Sequence, residues 1–225
     1  MMRKLLIAAG AVMLTAAAAY PQAKDADVES LVQKGLKAYK DGKAQDAIKA
    51  LQDAIAIIQK SQEKGLAAFF PKPPAGWEAG EIESGSGAIS SAGASGSMSY
   101  THLSRRYTHK ADKGEEKLEV TVSMTNSPQL IEPQKAMVET YRKPEIMKAM
   151  NMGPTKFTLI DKDGWIGWKT VDKDSRTQII ALSGGCMLEV SSNKADEKGV
   201  DLLFGAIDLK GLAAAQPAKS GTGGN

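Results

Sequence analysis

The sequence predicts an α+β protein: an N-terminal α-helical hairpin followed by an antiparallel β-sheet domain with packed helices. Three observations carry this expectation. Apolar residues between 28 and 58 recur at helical spacing, with one interruption at Gly42. From Met98 the chain reads as strands, a helix, a meander of four strands and a last helix, an order that suits an antiparallel sheet. Between these halves, "FFPKPPAGW" at 69–77 carries three prolines that lack amide donors and push their neighbours to extended conformations.

The chain opens with "MMRK", a short positive start, then the 16-residue run Leu5 to Tyr20, rich in Ala, and a small-residue exit into polar sequence. This is the pattern of a secretory signal peptide over residues 1–23, with cleavage after Ala19 or Ala23. The run is shorter than the roughly 20 apolar residues that cross a bilayer, so no stable membrane insertion is expected after cleavage. The expected location is periplasmic or secreted. Loss of Arg3 and Lys4 takes the 29 basic residues to 27, against 26 acidic ones. So even a balance argues against a nucleic-acid footprint or an anionic-membrane patch, both of which need clustered Lys and Arg. One cysteine, Cys186, cannot form an internal disulfide and reads as a small buried residue of a strand.

Val28, Leu31, Val32, Gly35, Ala38 and Tyr39 set one helical face, and Ala47, Ile48, Leu51, Ala54, Ile55 and Ile58 another. Two antiparallel helices joined at "KDGK" are expected over residues 27–66. Gly35, Gly42, Ala47, Ile48, Leu51, Ala54 and Ile55 stand where a tetratricopeptide repeat wants glycine, small or aliphatic residues, and the stretch resembles one such repeat. It departs from the motif at Leu31, where a large aromatic is usual, and at Gln59, where the closing proline should stand. No second copy follows. A lone hairpin buries too little apolar surface to offset the entropy of ordering it. It must therefore lie on the next domain, on a second copy or on a partner, and Leu31, Tyr39, Leu51 and Ile55 are candidate interaction residues.

Residues 67–76 form a Pro-rich linker, and residues 77–211, 135 in number, suffice for one independent core. The low-complexity "SGSGAISSAGASGS" at 84–97 predicts a mobile loop or a poorly packed edge strand, either solvated or lying as a flap over a site. "YTHLSRRYTHK" and "KLEVTVSMT" read as strands, and "IEPQKAMVETYRKPEIMKAMNMGP" as helix interrupted at Pro144 and stopped by Gly153 and Pro154. "TKFTLI", "WIGWKTV", "RTQIIAL" and "CMLEVSS" follow as hairpins, with "DKDG", "DKDS" and "SGG" as turns. Val200, Leu203, Phe204 and Ile207 share a face of the last helix, and the tail, 212–225, is expected to be disordered. The layout, with "PPAGW" before the first strand and "DGWIGWKTV" before the final strands and helix, resembles the PsbP-like fold of small exported or lumenal proteins. That resemblance implies a binding or assembly role rather than catalysis.

Chemistry-bearing patterns are sparse. His102 and His109 are seven apart and point to opposite faces of a regular strand, which keeps them from sharing a metal. No nucleophile elbow, phosphate loop or calcium loop is present: "GASGS" lacks the final glycine, and the glycine of "DKDG" comes too early. Met147, Met150 and Met152 form a thioether cluster of the kind that suits Cu(I), although core packing explains the same spacing. Trp165 and Trp168, three apart, face opposite sides of a strand. One should enter the core; the other is a binding anchor if exposed, or packs beneath the N-terminal hairpin. The function expected is a non-enzymatic exported binding or assembly module without a cofactor, acting through protein partners or self-association of the hairpin. The alternative is a periplasmic carrier of a small ligand or Cu(I).

Overall fold

The computed structural model describes residues 25–90, 97–109, 117–172, 175–194 and 196–215. The expected signal peptide, residues 1–23, lies outside the described residues, as do 91–96 of the Gly/Ser stretch and the end of the tail from 216 onward. Helices α1 (Asp25–Lys40) and α2 (Ala44–Ala67) form the expected hairpin. Its turn is fixed by Gly42 at φ 75, with Gly42 N donating to Tyr39 O and Lys43 N to Ala38 O. That is a Schellman closure, in which the left-handed residue is best supplied by glycine.

Seven strands follow: β1 (Trp77–Ser90), β2 (Ser97–His109), β3 (Glu119–Asn126), β4 (Thr155–Lys162), β5 (Trp165–Asp172), β6 (Thr177–Ser183) and β7 (Cys186–Ser192). They make one sheet in the order β1-β2-β3-β7-β6-β5-β4, with every neighbouring pair antiparallel. Helices α3 (Pro128–Tyr141) and α4 (Pro144–Met150) lie between β3 and β4 in sequence, and α5 (Glu197–Gly205) and α6 (Leu209–Ala214) end the described chain. The fold is thus α+β with helices packed on the sheet, as the sequence predicts. Of the two readings of 84–97, the strand holds for 84–90 and for Ser97: β1 is an edge strand that runs on through Ser90.

Alternation along the strands divides the core in two. Leu103, Tyr107, Val120, Val122, Met124, Leu188 and Val190 point to one face, where they meet Leu66, Phe70, Val200, Leu203 and Leu212. Phe157, Trp168 and Leu182 point to the other and meet Ile131 and Val138 of α3. Residues 67–76 are not a free linker. Phe70 and Pro71 are buried, and Tyr107 Oη donates to Pro71 O at 2.8 Å, so the start of the segment joins the domain core, whereas Lys72, Pro73, Ala75 and Gly76 are exposed. The domain also extends past residue 211: α6 continues to Ala214, and Leu209, Leu212 and Ala215 are buried. The tail pattern hid this helix because its apolar positions are few and its small residues resemble those of a disordered end.

Local chemistry explains the joints. The β4–β5 turn has Asp163 at φ 54 and Gly164 at φ 81, the doubly left-handed two-residue turn for which Asp-Gly is suited. Helices α5 and α6 both start with an aspartate cap: Asp196 Oδ1 accepts from Gly199 N and Asp208 Oδ1 from Gly211 N, each at 2.9 Å. At both glycines a Cβ would collide with the capping carboxylate, and at Gly199 also with the Trp77 ring at 2.9 Å. Lys169 of β5 pins α5 by donating to Glu197 at 2.8 Å and to Asp201 at 2.7 Å. Burial presses the Lys169 pKa down, but the bonds to Asp201 and Glu197 outweigh it and leave it above the ordinary lysine value. The same bond from Lys169 holds the Glu197 carboxyl below its usual range.

Cys186 begins β7 and is buried, as its sequence context predicts. Burial pushes its thiol from 9.0 up to about 12. The unfolded chain therefore sheds this proton above pH 9 while the folded chain keeps it. Stability should fall by up to about 1.4 kcal/mol per pH unit between about pH 9 and 12 from this group alone. Tyr107, raised above 10.0 by its burial against a smaller opposing effect of Arg105, adds to the loss at the upper end. Denaturant titrations from pH 8 upward should show this decline, and Cys186→Ala, although less stable at pH 8, should show a shallower one. An unchanged slope would mean that the thiol is not held in its neutral form by the fold.

Candidate interaction surface

The two helices of the hairpin touch through small residues. Gly35 faces α2 so closely that a Cβ there would lie 3.2 Å from Leu51 Cγ and 3.3 Å from Ala47 O, and Ala47, Ala50 and Ala54 are buried at the contact. Close approach of the backbones leaves no room between them for large side chains. Val32, Leu36 and Tyr39 of α1, and Ile48, Leu51, Ile55 and Ile58 of α2, are displaced to one flank of the pair. There Tyr39 is 69% exposed and the other six lie between 41% and 49%.

Val32, Leu36, Tyr39, Ile48 and Leu51 border a groove of about 450 Å³ between the helices, lined also by Gly35, Ala44 and Ala47, and Ile55 and Ile58 continue the exposed apolar row along α2. The other flank is charged, with Lys34, Lys37, Lys43 and Lys49 beside Asp41, Asp46 and Asp53. Lys49 and Asp53 pair at 3.2 Å, one turn apart. The hairpin thus has a solvated ionic face and an open apolar one. The apolar face is continuous and free of titratable groups except the Tyr39 phenol, so it can bind apolar surface but offers no acid, base or nucleophile.

Of the residues singled out from the sequence, Tyr39, Leu51 and Ile55 lie on this face, whereas Leu31 is half-buried and does not line the groove. Val32, Leu36 and Ile58 belong to the same face and were not singled out. Their signal was the spacing, 32-36-39 and 48-51-55-58, which is that of an apolar helical seam. The two tryptophans are a correction. They do face opposite sides of β5, but both are buried, and neither is an anchor for a partner. Trp165 donates its indole N–H to Leu209 O at 2.9 Å, beneath α6. Trp168 lies with Tyr141 and Phe157, ring centroids 5.6 and 6.5 Å away, on the α3–α4 side. The reason is that helices cover both faces of this half of the sheet.

His102 and His109 also separate as expected: His102 Nδ1 lies 2.9 Å from Thr125 Oγ1, whereas His109 meets the Trp77 ring edge-on at 5.2 Å. Met147 packs into the second core, and Met150 and Met152 are exposed, so the three thioethers are divided between core and surface. Among the described residues no three His, Cys, Asp or Glu side chains gather as a metal group would need, and no helix is long and apolar enough to cross a membrane. The sequence matches no protein-family model, and no curated protein and no solved structure is significantly similar to it.

Two neighbours in α2 test the division between inner and outer positions. Ala54 is buried against α1 and Ile55 is exposed. Ala54→Leu should wedge the helices apart and lower stability by about 1–3 kcal/mol, read from thermal or denaturant unfolding. Ile55→Lys should leave the far-ultraviolet circular dichroism of the full chain unchanged. Loss of helix on Ile55→Lys would mean that this side chain holds the hairpin itself.

Proposed function

We propose that the protein is a non-enzymatic exported binding or assembly module that acts through protein–protein contacts made by the apolar face of its helical hairpin. The observation that carries this reading is the exposure of seven large apolar side chains on one contiguous face. Such a patch costs free energy in water, and a monomer keeps one of this size chiefly where something covers it. The groove supports helix or protein recognition rather than catalysis, because its walls hold aliphatic groups and one phenol. Export follows from the order of charge, apolar run and small residues at 1–23.

The contact is tested by placing a photo-crosslinking amino acid at Ile48 of the exported chain and irradiating intact cells. A covalent adduct with protein is expected at Ile48 and not at Lys37 on the charged face. Absence of any adduct at Ile48 would overturn the reading. Export is tested by the intact mass of the extracytoplasmic protein, which should lack residues 1–19 or 1–23. A full-length, membrane-retained product would contradict it.

A further inference from the structure

Resting on that interaction role, the geometry points to a second copy of this chain as the partner, with the two hairpins seated face to face as an antiparallel four-helix bundle. Three observations identify the occupant. The first is spacing. The exposed apolar residues recur at 4-3 on α1 and at 3-4-3 on α2. This interval matches partner helices crossing at a shallow angle of about 20°, not a strand, whose side chains repeat every two residues. A face with two such seams is complemented by two helices, which is what another hairpin supplies.

The second is charge. On the helical wheel of α1, Glu29 and Lys40 both flank the outer side of the seam, next to Leu36. They are separated along the helix by roughly 16 Å, too far to pair within one chain. A two-fold axis crossing the face at the level where Gly35 meets Leu51 brings Glu29 of each copy beside Lys40 of the other, twice per dimer. On α2 the corresponding flank carries Gln45, Gln52 and Gln59 at seven-residue intervals. The same axis sets Gln52 near its own symmetry mate. Amides both donate and accept, so this row meets itself without repulsion. A self-complementary surface is what a symmetric dimer requires.

The third is area. Seven half-exposed side chains of this size leave on the order of 500 Å² of apolar surface, near the upper end of the patches that monomers carry. With Ala44 and the glutamine flank added, the face approaches the roughly 800 Å² per partner of a stable interface.

The test is sedimentation equilibrium of the full exported chain over a dilution series. A dimer is expected, dispersed by Ile48→Lys. Glu29→Lys or Lys40→Glu alone should weaken it roughly three- to tenfold, and the double exchange should restore it to near the original affinity. Both residues are on the hairpin surface, so these variants keep the fold, which circular dichroism checks. A monomer at every concentration, a dimer indifferent to Ile48→Lys, or charge exchanges that fail to compensate would each overturn the proposal. The photo-adduct at Ile48 separates this failure from that of the broader reading. An adduct at twice the chain mass supports the dimer. An adduct with a different protein overturns the dimer and keeps the interaction role, and no adduct removes both.

Discussion

Among the described residues the hairpin meets the sheet through the C-terminal part of α2, and the consequences of that attachment run through the whole molecule. Gly65, Leu66 and Phe70 enter the main core, Pro71 O receives the Tyr107 hydroxyl, and Thr101 reaches Gln62 at 3.4 Å. All of these contacts fall at the C-terminal end of α2 or just beyond it. A helix of 24 residues is about 36 Å long, so the N-terminal part of α2, paired with α1, forms an extension beyond the contacts named here. Within that extension the helices hold one another through Gly35 and three alanines, a contact that is tight but thin. The large aliphatic groups that would thicken it lie outside. Covering those groups would add to the stability of the extended part, over and above the contact through Gly35 and the alanines.

The sheet domain is built in the opposite way. Its β4–β7 half is covered on both faces, with Trp165 beneath α6 and the Tyr141, Phe157 and Trp168 rings filling the α3–α4 side. Gly167, between the tryptophans, is the concession to this packing: a Cβ there would strike the Ile180 carbonyl of β6. Lys169 then holds α5 from the same strand. Two aspartate caps place α5 and α6 close over Trp77 and Phe69, since any side chain at Gly199 or Gly211 would hold the rings away. A domain closed on so many small, specific fits serves as a rigid base, and the open apolar surface is left to the hairpin.

How much of this was legible in the sequence depended on whether the signal was local. Periodicity located the hairpin, Gly42 its turn, and Asp163-Gly164 the β4–β5 turn, because each is dictated by backbone sterics within a few residues. The parity of Trp165 and Trp168 correctly gave opposite faces. It could not say that both faces are covered, since α3, α4 and α6 come from distant sequence. For the same reason the prolines at 71–74 read as a linker, although Pro71 is buried: its carbonyl is held by the hydroxyl of Tyr107, 36 residues away. The exposed face is the reverse case. Aliphatic residues at helical spacing signal burial, and sequence alone does not distinguish burial within a chain from burial against another.

That ambiguity bears on why a hairpin that resembles a repeat unit occurs once. In a row of such units each apolar flank is covered by the next, and the end units carry polar outer faces. Here the end of α2 is taken by the sheet and the flank stays apolar, so the hairpin is finished where it is attached and unfinished along its side. A further unit in the same chain would cover that side with a fixed neighbour. On the proposed pairing, a copy from another chain would cover it reversibly, by an amount set by concentration, and would close both open sides at once. A single unit would then suffice for self-association, and a second one in the chain would compete with it.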